Sequence, residues 1–198
     1  MREIVPSILT WPWFSERHRY NFNGHLVRDP GGTICIDPVE PDAATLAELA
    51  QAGVACIVLT NRNHARAANL VRERTGAPVA IHHADSAHAR AQGAEVDTDL
   101  HLGQRLGPFV LVGVPGKSPG EVALHWPEQR LLIVGDAVIG TPPGSCSLLP
   151  DAVVDDPEQL RRSVRRLLDL DFDALLFGDG ESILQGAKAR LRALVESW

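Results

Sequence analysis

Two acids and one amine draw the eye among the polar side chains of this 198-residue chain: Asp136 in Gly135-Asp136-Ala137, Asp179 in Gly178-Asp179-Gly180, and Lys117 in Pro115-Gly116-Lys117-Ser118-Pro119-Gly120. Each stands in a glycine-bearing loop that follows an apolar, strand-like run, where a rigid scaffold commonly presents functional side chains. Two carboxylates and an ammonium allow two kinds of chemistry. They can neutralise one another as an internal Lys117, Asp136, Asp179 ion cluster, because a buried carboxylate without a counter-charge is costly. Alternatively, if their environments push the two carboxyl pKa values apart, Asp136 and Asp179 divide acid and base roles, with Lys117 stabilising developing negative charge.

A fourth loop, Thr60-Asn61-Arg62-Asn63-His64-Ala65-Arg66, contributes amides, guanidinium groups and an imidazole. Asn61 and Asn63 suit turn backbone. Asn61, Asn63, His64, Arg66, Lys117, Asp136 and Asp179 are the polar side chains that these loops offer to a small polar ligand. Other motifs reduce to ordinary structure. Gly116-Lys117-Ser118 is no phosphate loop, since Leu111 stands where the first glycine belongs and Pro119 blocks the following helix. Cys35 and Cys56 lie in apolar runs and behave as small hydrophobes, Cys146 lies in a turn, and the three make neither a disulfide framework nor a C-x-x-C pair. His82, His83 and His88 read as solvated. Trp11, Trp13, Phe14, Tyr20 and Phe22 concentrate aromatic surface near the N-terminus, for core packing, a pocket roof or a subunit contact.

The elements that must hold these loops alternate between hairpins and strand–helix–strand units. Runs at 25–28 and 33–36 flank the turn Asp29-Pro30-Gly31-Gly32 as an antiparallel pair. A helix over 42–51 places Leu46, Leu49 and Ala50 on one face and stops at Gly53, and a buried strand follows at 56–59. A helix over 64–74 ends at Gly76, before a strand at 79–81. Further strands fall at 109–112, 121–125, 131–134 and 174–177. Helices cover 157–168, capped by Asp156 with Pro157 in first position, and 183–195. Hairpins and crossovers in both halves predict two packed sheets with helices outside, in one domain over 1–198.

In order along the chain, the four loops resemble the signature loops of the metallo-β-lactamase superfamily, and Ile34-Cys35-Ile36-Asp37-Pro38 resembles the strand-end Asp that supports them. The resemblance spans roughly residues 20–185 and implies a mixed α/β, four-layer αββα sandwich. The family's first loop reads T-H-x-H-x-D-H. Thr60 matches it, whereas Asn61 and Asn63 replace two His, Ala65 the Asp, and Arg66 the last His. In P-G-H-[ST]-P-G, Lys117 replaces His between intact neighbours. Asp136 keeps the bridging carboxylate, while Asp179 stands in place of another His. The resemblance thus implies a divergent member without the usual two-metal centre: no cofactor is expected, with a single weakly held divalent ion as the alternative. A hydrolase activity would rest on fold resemblance, which does not fix chemistry.

A net charge of −6 argues against a nucleic-acid partner, which needs a basic face to displace counterions. No apolar run reaches the roughly 20 residues that span a bilayer. The opening Met1-Arg2-Glu3-Ile4-Val5-Pro6 lacks a basic-then-apolar signal pattern, so the expectation is a cytoplasmic protein without membrane partners, compatible with homo-oligomers.

Overall fold

The computed structural model describes residues 1–198 as two compact units, Met1–His101 and Leu102–Trp198. The first holds a seven-stranded sheet: β1 (Arg2–Val5), β2 (Ile8–Ser15), β3 (Tyr20–Val27), β4 (Thr33–Ile36), β5 (Val54–Leu59), β6 (Val79–His82) and β7 (Thr98–Leu100), neighbours in chain order. Strands β1 to β4 are joined by short turns and pair antiparallel. From β4 to β7 the pairs are parallel, so each connection needs a crossover, supplied by α1 (Ala43–Gln51), α2 (Ala68–Thr75) and α3 (His83–Ala91). This switch from hairpins to crossovers sends the C-terminal ends of β4 and β5 into polar loops, while β6 runs directly into α3.

Strands β1 and β2 lie outside the sequence expectation. Pro12 sits inside β2, opposite Asn23 of β3, and a proline normally excludes a paired interior strand. The register explains the exception. Strand β1 covers β2 only from Ile8 to Thr10, so at Pro12 one side of β2 has no neighbouring strand to require its missing N–H.

Helix α1 is capped by Asp42, whose Oδ1 accepts from Thr45 N at 2.7 Å. Its buried face is Thr45 and Leu49, four apart and so one turn above each other, while Ala50 is exposed. The expected Leu46, Leu49, Ala50 face is corrected accordingly. Helix α2 starts at Ala68, not at 64, because residues 64–67 remain a turn whose polar groups are held elsewhere. It ends as expected, with Gly76 at φ 74°. Around the sheet, Leu26, Cys35, Leu49, Ile57, Leu59, Val71 and Ile81 form one core.

The second unit holds a five-stranded sheet in the order β12-β11-β10-β9-β8, from β8 (Arg105–Leu106), β9 (Phe109–Gly113), β10 (Val122–Trp126), β11 (Leu131–Val134) and β12 (Ala174–Phe177). Only β11 and β12 are parallel, and α4 (Pro157–Leu167) lies in the long connection between them. Asp156 caps α4 through Gln159 N at 2.8 Å. Helix α5 spans Ala187–Glu196, later than the expected start at 183. Ile183 and Leu175 exchange backbone hydrogen bonds of 2.9 and 2.8 Å, a strand-like bridge that removes Ile183 from any helix. Leu132, Val134, Leu160, Val164, Phe172, Phe177 and Leu191 belong to this unit's own core. No helix is long and apolar enough to cross a membrane.

Candidate functional site

In the first unit the polar centre is Asp37, at the end of β4. Its main chain is left-handed, φ 48°, and its N–H reaches back to Val58 O at 2.9 Å, which turns the carboxylate toward the loop after β5. There Asp37 Oδ1 accepts from Thr60 N at 2.8 Å and Oδ2 from Thr60 Oγ1 at 2.6 Å. His64 Nδ1 lies 2.8 Å from the same Oδ2. Burial alone would raise the Asp37 carboxyl, but His64 and the Thr60 hydrogen bonds outweigh it and hold Asp37 below the usual carboxylate range. An ionised carboxylate only accepts, so His64 Nδ1 carries the proton. Asp37, Thr60 and His64 are all essentially without solvent exposure.

The rest of this loop is organised in the same way. Asn61 is buried and its Oδ1 accepts from Asn63 N at 2.8 Å, while Asn63 is exposed. Asp85, in the first turn of α3, is buried and accepts from Arg62 N at 3.0 Å. The Arg66 guanidinium stacks 4.2 Å from the centre of the Phe22 ring on β3, and Arg66 itself has a positive φ of 25°. His82 and His83, at the end of β6, place their rings 4.3 Å apart, His83 exposed and His82 half-buried.

In the second unit, Lys117 Nζ lies 3.1 Å from Asp136 Oδ2, and both residues are nearly buried, at 7% and 5% exposure. Carboxylate oxygens of Asp136 and Asp179 come within 4.8 Å of each other. Asp136 N donates to Glu121 Oε1 at 2.6 Å, so a second buried acid fixes the Asp136 backbone. The Lys117 loop is anchored on α4: Asp156 N donates to Gly116 O at 2.8 Å and Ser163 Oγ to Pro115 O at 2.7 Å. The Asp179 loop is anchored on the one after β11, where Gly140 N donates to Asp179 O at 2.9 Å.

Of the sequence-predicted residues, Lys117 and Asp136 meet with Asp179 close by, whereas Asn61, His64 and Arg66 turn to different partners and Asn63 is exposed. Sequence reasoning gave no role to Asp85 or Glu121. Their signal was an acid in otherwise apolar or turn surroundings, readable only once Arg62 N and Asp136 N are known to need acceptors. The cysteines take no part in these hydrogen-bond networks. Cys35 is fully buried, and burial pushes the Cys56 and Cys146 thiols up to about 11, far from a reactive thiolate.

Two mixed sheets and five α-helices, with polar loops after β5, β9, β11 and β12, define the class as metallo-β-lactamase-fold proteins. The model of the metallo-β-lactamase superfamily matches residues 2–198, and the chain belongs to that family. It is 32% identical over 154 residues to a hydroxyacylglutathione hydrolase of Ectopseudomonas mendocina (strain ymp), 73% of this chain but 56% of that relative's length. Among solved structures, TTHA1623 in a di-iron-bound form is 29% identical with a TM-score of 0.70, covering 91% of this chain and 98% of that one. The metallo-β-lactamase FIM-1 from Pseudomonas aeruginosa in its mono-zinc form is 18% identical, with a TM-score of 0.78 and coverage of 98% and 93%. At that identity the likeness concerns the fold.

Proposed function

We propose that this chain is a metal-independent member of its family, in which the Lys117 ammonium serves as the cation for Asp136, and that its polar loops bind a small polar ligand. The observation that carries this reading is the Lys117 to Asp136 contact, 3.1 Å between two nearly buried groups. A metal ion bound to Asp136 would have to share that carboxylate with a fixed positive charge. Of the loop after β5, His64 alone offers an imidazole, and its Nδ1 is engaged by Asp37; the other side chains there fit a divalent metal no better. The Asn61 amide oxygen is taken by a backbone N–H, the Arg66 guanidinium is a cation, and Ala65 has no donor atom. This donor set does not fit a two-metal centre, whose ions need several imidazoles and carboxylates each.

Elemental analysis tests this directly. The purified chain is incubated with zinc, manganese and iron(II), then desalted, since tight sites survive that step. Less than about a tenth of an equivalent is expected. One or two retained equivalents overturn the reading and restore metal-assisted hydrolysis, the chemistry suggested by the hydrolase and di-iron relatives. A second reading is favoured by the 4.8 Å approach of Asp136 and Asp179: a hydrolase without metal, with the two carboxyls as acid and base and Lys117 as stabiliser. It requires that a folded Asp136→Asn variant lose its activity against an ester or thioester panel; retained turnover excludes it.

A further inference from the structure

Helix α4 buries Leu160, Ser163, Val164 and Leu167 and turns Arg162, Arg165 and Arg166 to solvent. Its fourth arginine, Arg161, has acidic partners, Asp151 at 3.3 Å and Glu158 at 3.1 Å. The other three have none. Arg162 Nη2 donates to Gln159 Oε1 at 2.9 Å, Arg166 Nη2 to Ser163 Oγ at 3.3 Å, and Arg165 lies 5.9 Å over the Trp198 ring. All these partners are uncharged. Like charges three and four positions apart on a helix repel, and in a chain of net charge −6 acids are plentiful enough to have relieved them. The usual fate of a charge run is a solvated convex face. Gln159, Arg162, Arg165, Arg166 and Asp169 line a shallow, open cavity of about 500 Å³ on the solvent face of this one helix.

We propose that this cavity binds a small soluble ligand bearing a diphosphate or an equivalent pair of adjacent oxyanions. Guanidinium forks meet phosphoryl oxygens two at a time, so Arg162, Arg165 and Arg166 match two neighbouring tetrahedral anions better than one. Gln159 adds an amide donor. Asp169, the acid in the lining, repels the anion and sets its orientation, accepting instead from a hydroxyl or amine on the ligand. The site lies on the solvent face of α4, whereas Lys117 and Asp136 are nearly buried.

Titration calorimetry of the intact chain with inorganic pyrophosphate, at about 50 mM salt, tests the assignment. A Kd below about 1 mM is expected, weakened at least tenfold in the double variant Arg162→Ala, Arg166→Ala, whose exposed positions leave the fold intact by circular dichroism. Inorganic phosphate should bind at least about tenfold more weakly than pyrophosphate. No heat with pyrophosphate up to about 5 mM overturns the proposal, as does equal affinity in the double variant, which would send the anion to Lys117 instead. Tighter binding to duplex DNA or to anionic vesicles than to pyrophosphate would also overturn it, in favour of a macromolecular anion.

Discussion

Lys117 and Asp136 depend on each other, because neither is comfortable with so little solvent alone. Lys117→Met removes the ammonium while keeping most of the stem's volume, so the carboxylate loses its counter-charge without a large cavity being made. Breaking a buried pair by removing one partner costs about 3 kcal/mol or more, and urea denaturation should show that loss; a midpoint shift worth under about 0.5 kcal/mol would mean that other groups hold Asp136. Asp37 makes a prediction of opposite character, in pH. Its folded carboxyl titrates below 3.8, so the unfolded chain binds its proton first as the solution is acidified. The stability it provides is complete above about pH 5 and drains away as pH falls past 3.8 toward the folded value. Asp37→Asn should therefore flatten the acid limb of stability between about pH 5 and pH 3, measured as urea midpoints. Loop position and the family resemblance made Lys117, Asp136 and the loop asparagines legible in the sequence. The buried pairings were not legible, because Thr60 and Asp37, or Arg62 and Asp85, stand 23 positions apart and only the fold closes that distance.

Elements were easiest to read where a local signal coincided with the tertiary one. Asp156 with Pro157 marked the start of α4, and Gly76 the end of α2, because caps are local chemistry. The starts of α2 and α5 were misplaced where tertiary demands won: His64 is committed to Asp37, and Ile183 to a bridge with Leu175. Strand β2 contains Pro12, whose tolerance depends on how far β1 reaches, a fact of register rather than of composition. The junction of the Lys117 loop with α4 gives the prediction at this scale. Gly116 has φ 142°, and a Cβ there would overlap the backbone of Leu160 in the first turn of α4. Gly116→Ala must then strain the loop and push the helix off it, two penalties that together amount to about 3 kcal/mol or more. Thermal unfolding should fall accordingly. Gly144→Ala, also at a positive φ but with open space around it, should cost only about 1 kcal/mol. Similar losses at the two positions would mean that backbone strain, not contact with α4, is what Gly116 avoids.

At the scale of the molecule, the mixed α/β class followed from the alternation of hairpins and crossovers, and the family from the order of the four loops. What the sequence pattern did not show is that each unit carries a core of its own, one around Leu26, Ile57 and Val71, the other around Leu132, Val164 and Phe177. Two cores imply two regions of slow amide exchange, since protection follows burial and hydrogen bonding rather than chain position. In the first unit the slowest amides should belong to β4 and to Ile57–Leu59 of β5, which pair on both sides and are buried. In the second they should belong to β10 and β11. Strand β1, mostly exposed and paired along one side, should exchange fastest of the strands, together with the 141–153 segment. Hydrogen exchange resolved by peptide would check this. Equal protection across β1 and β5 would mean that the N-terminal aromatic strands are held by something beyond their pairing, and a subunit contact through the exposed Trp13 and Phe14 would then become the first explanation to examine.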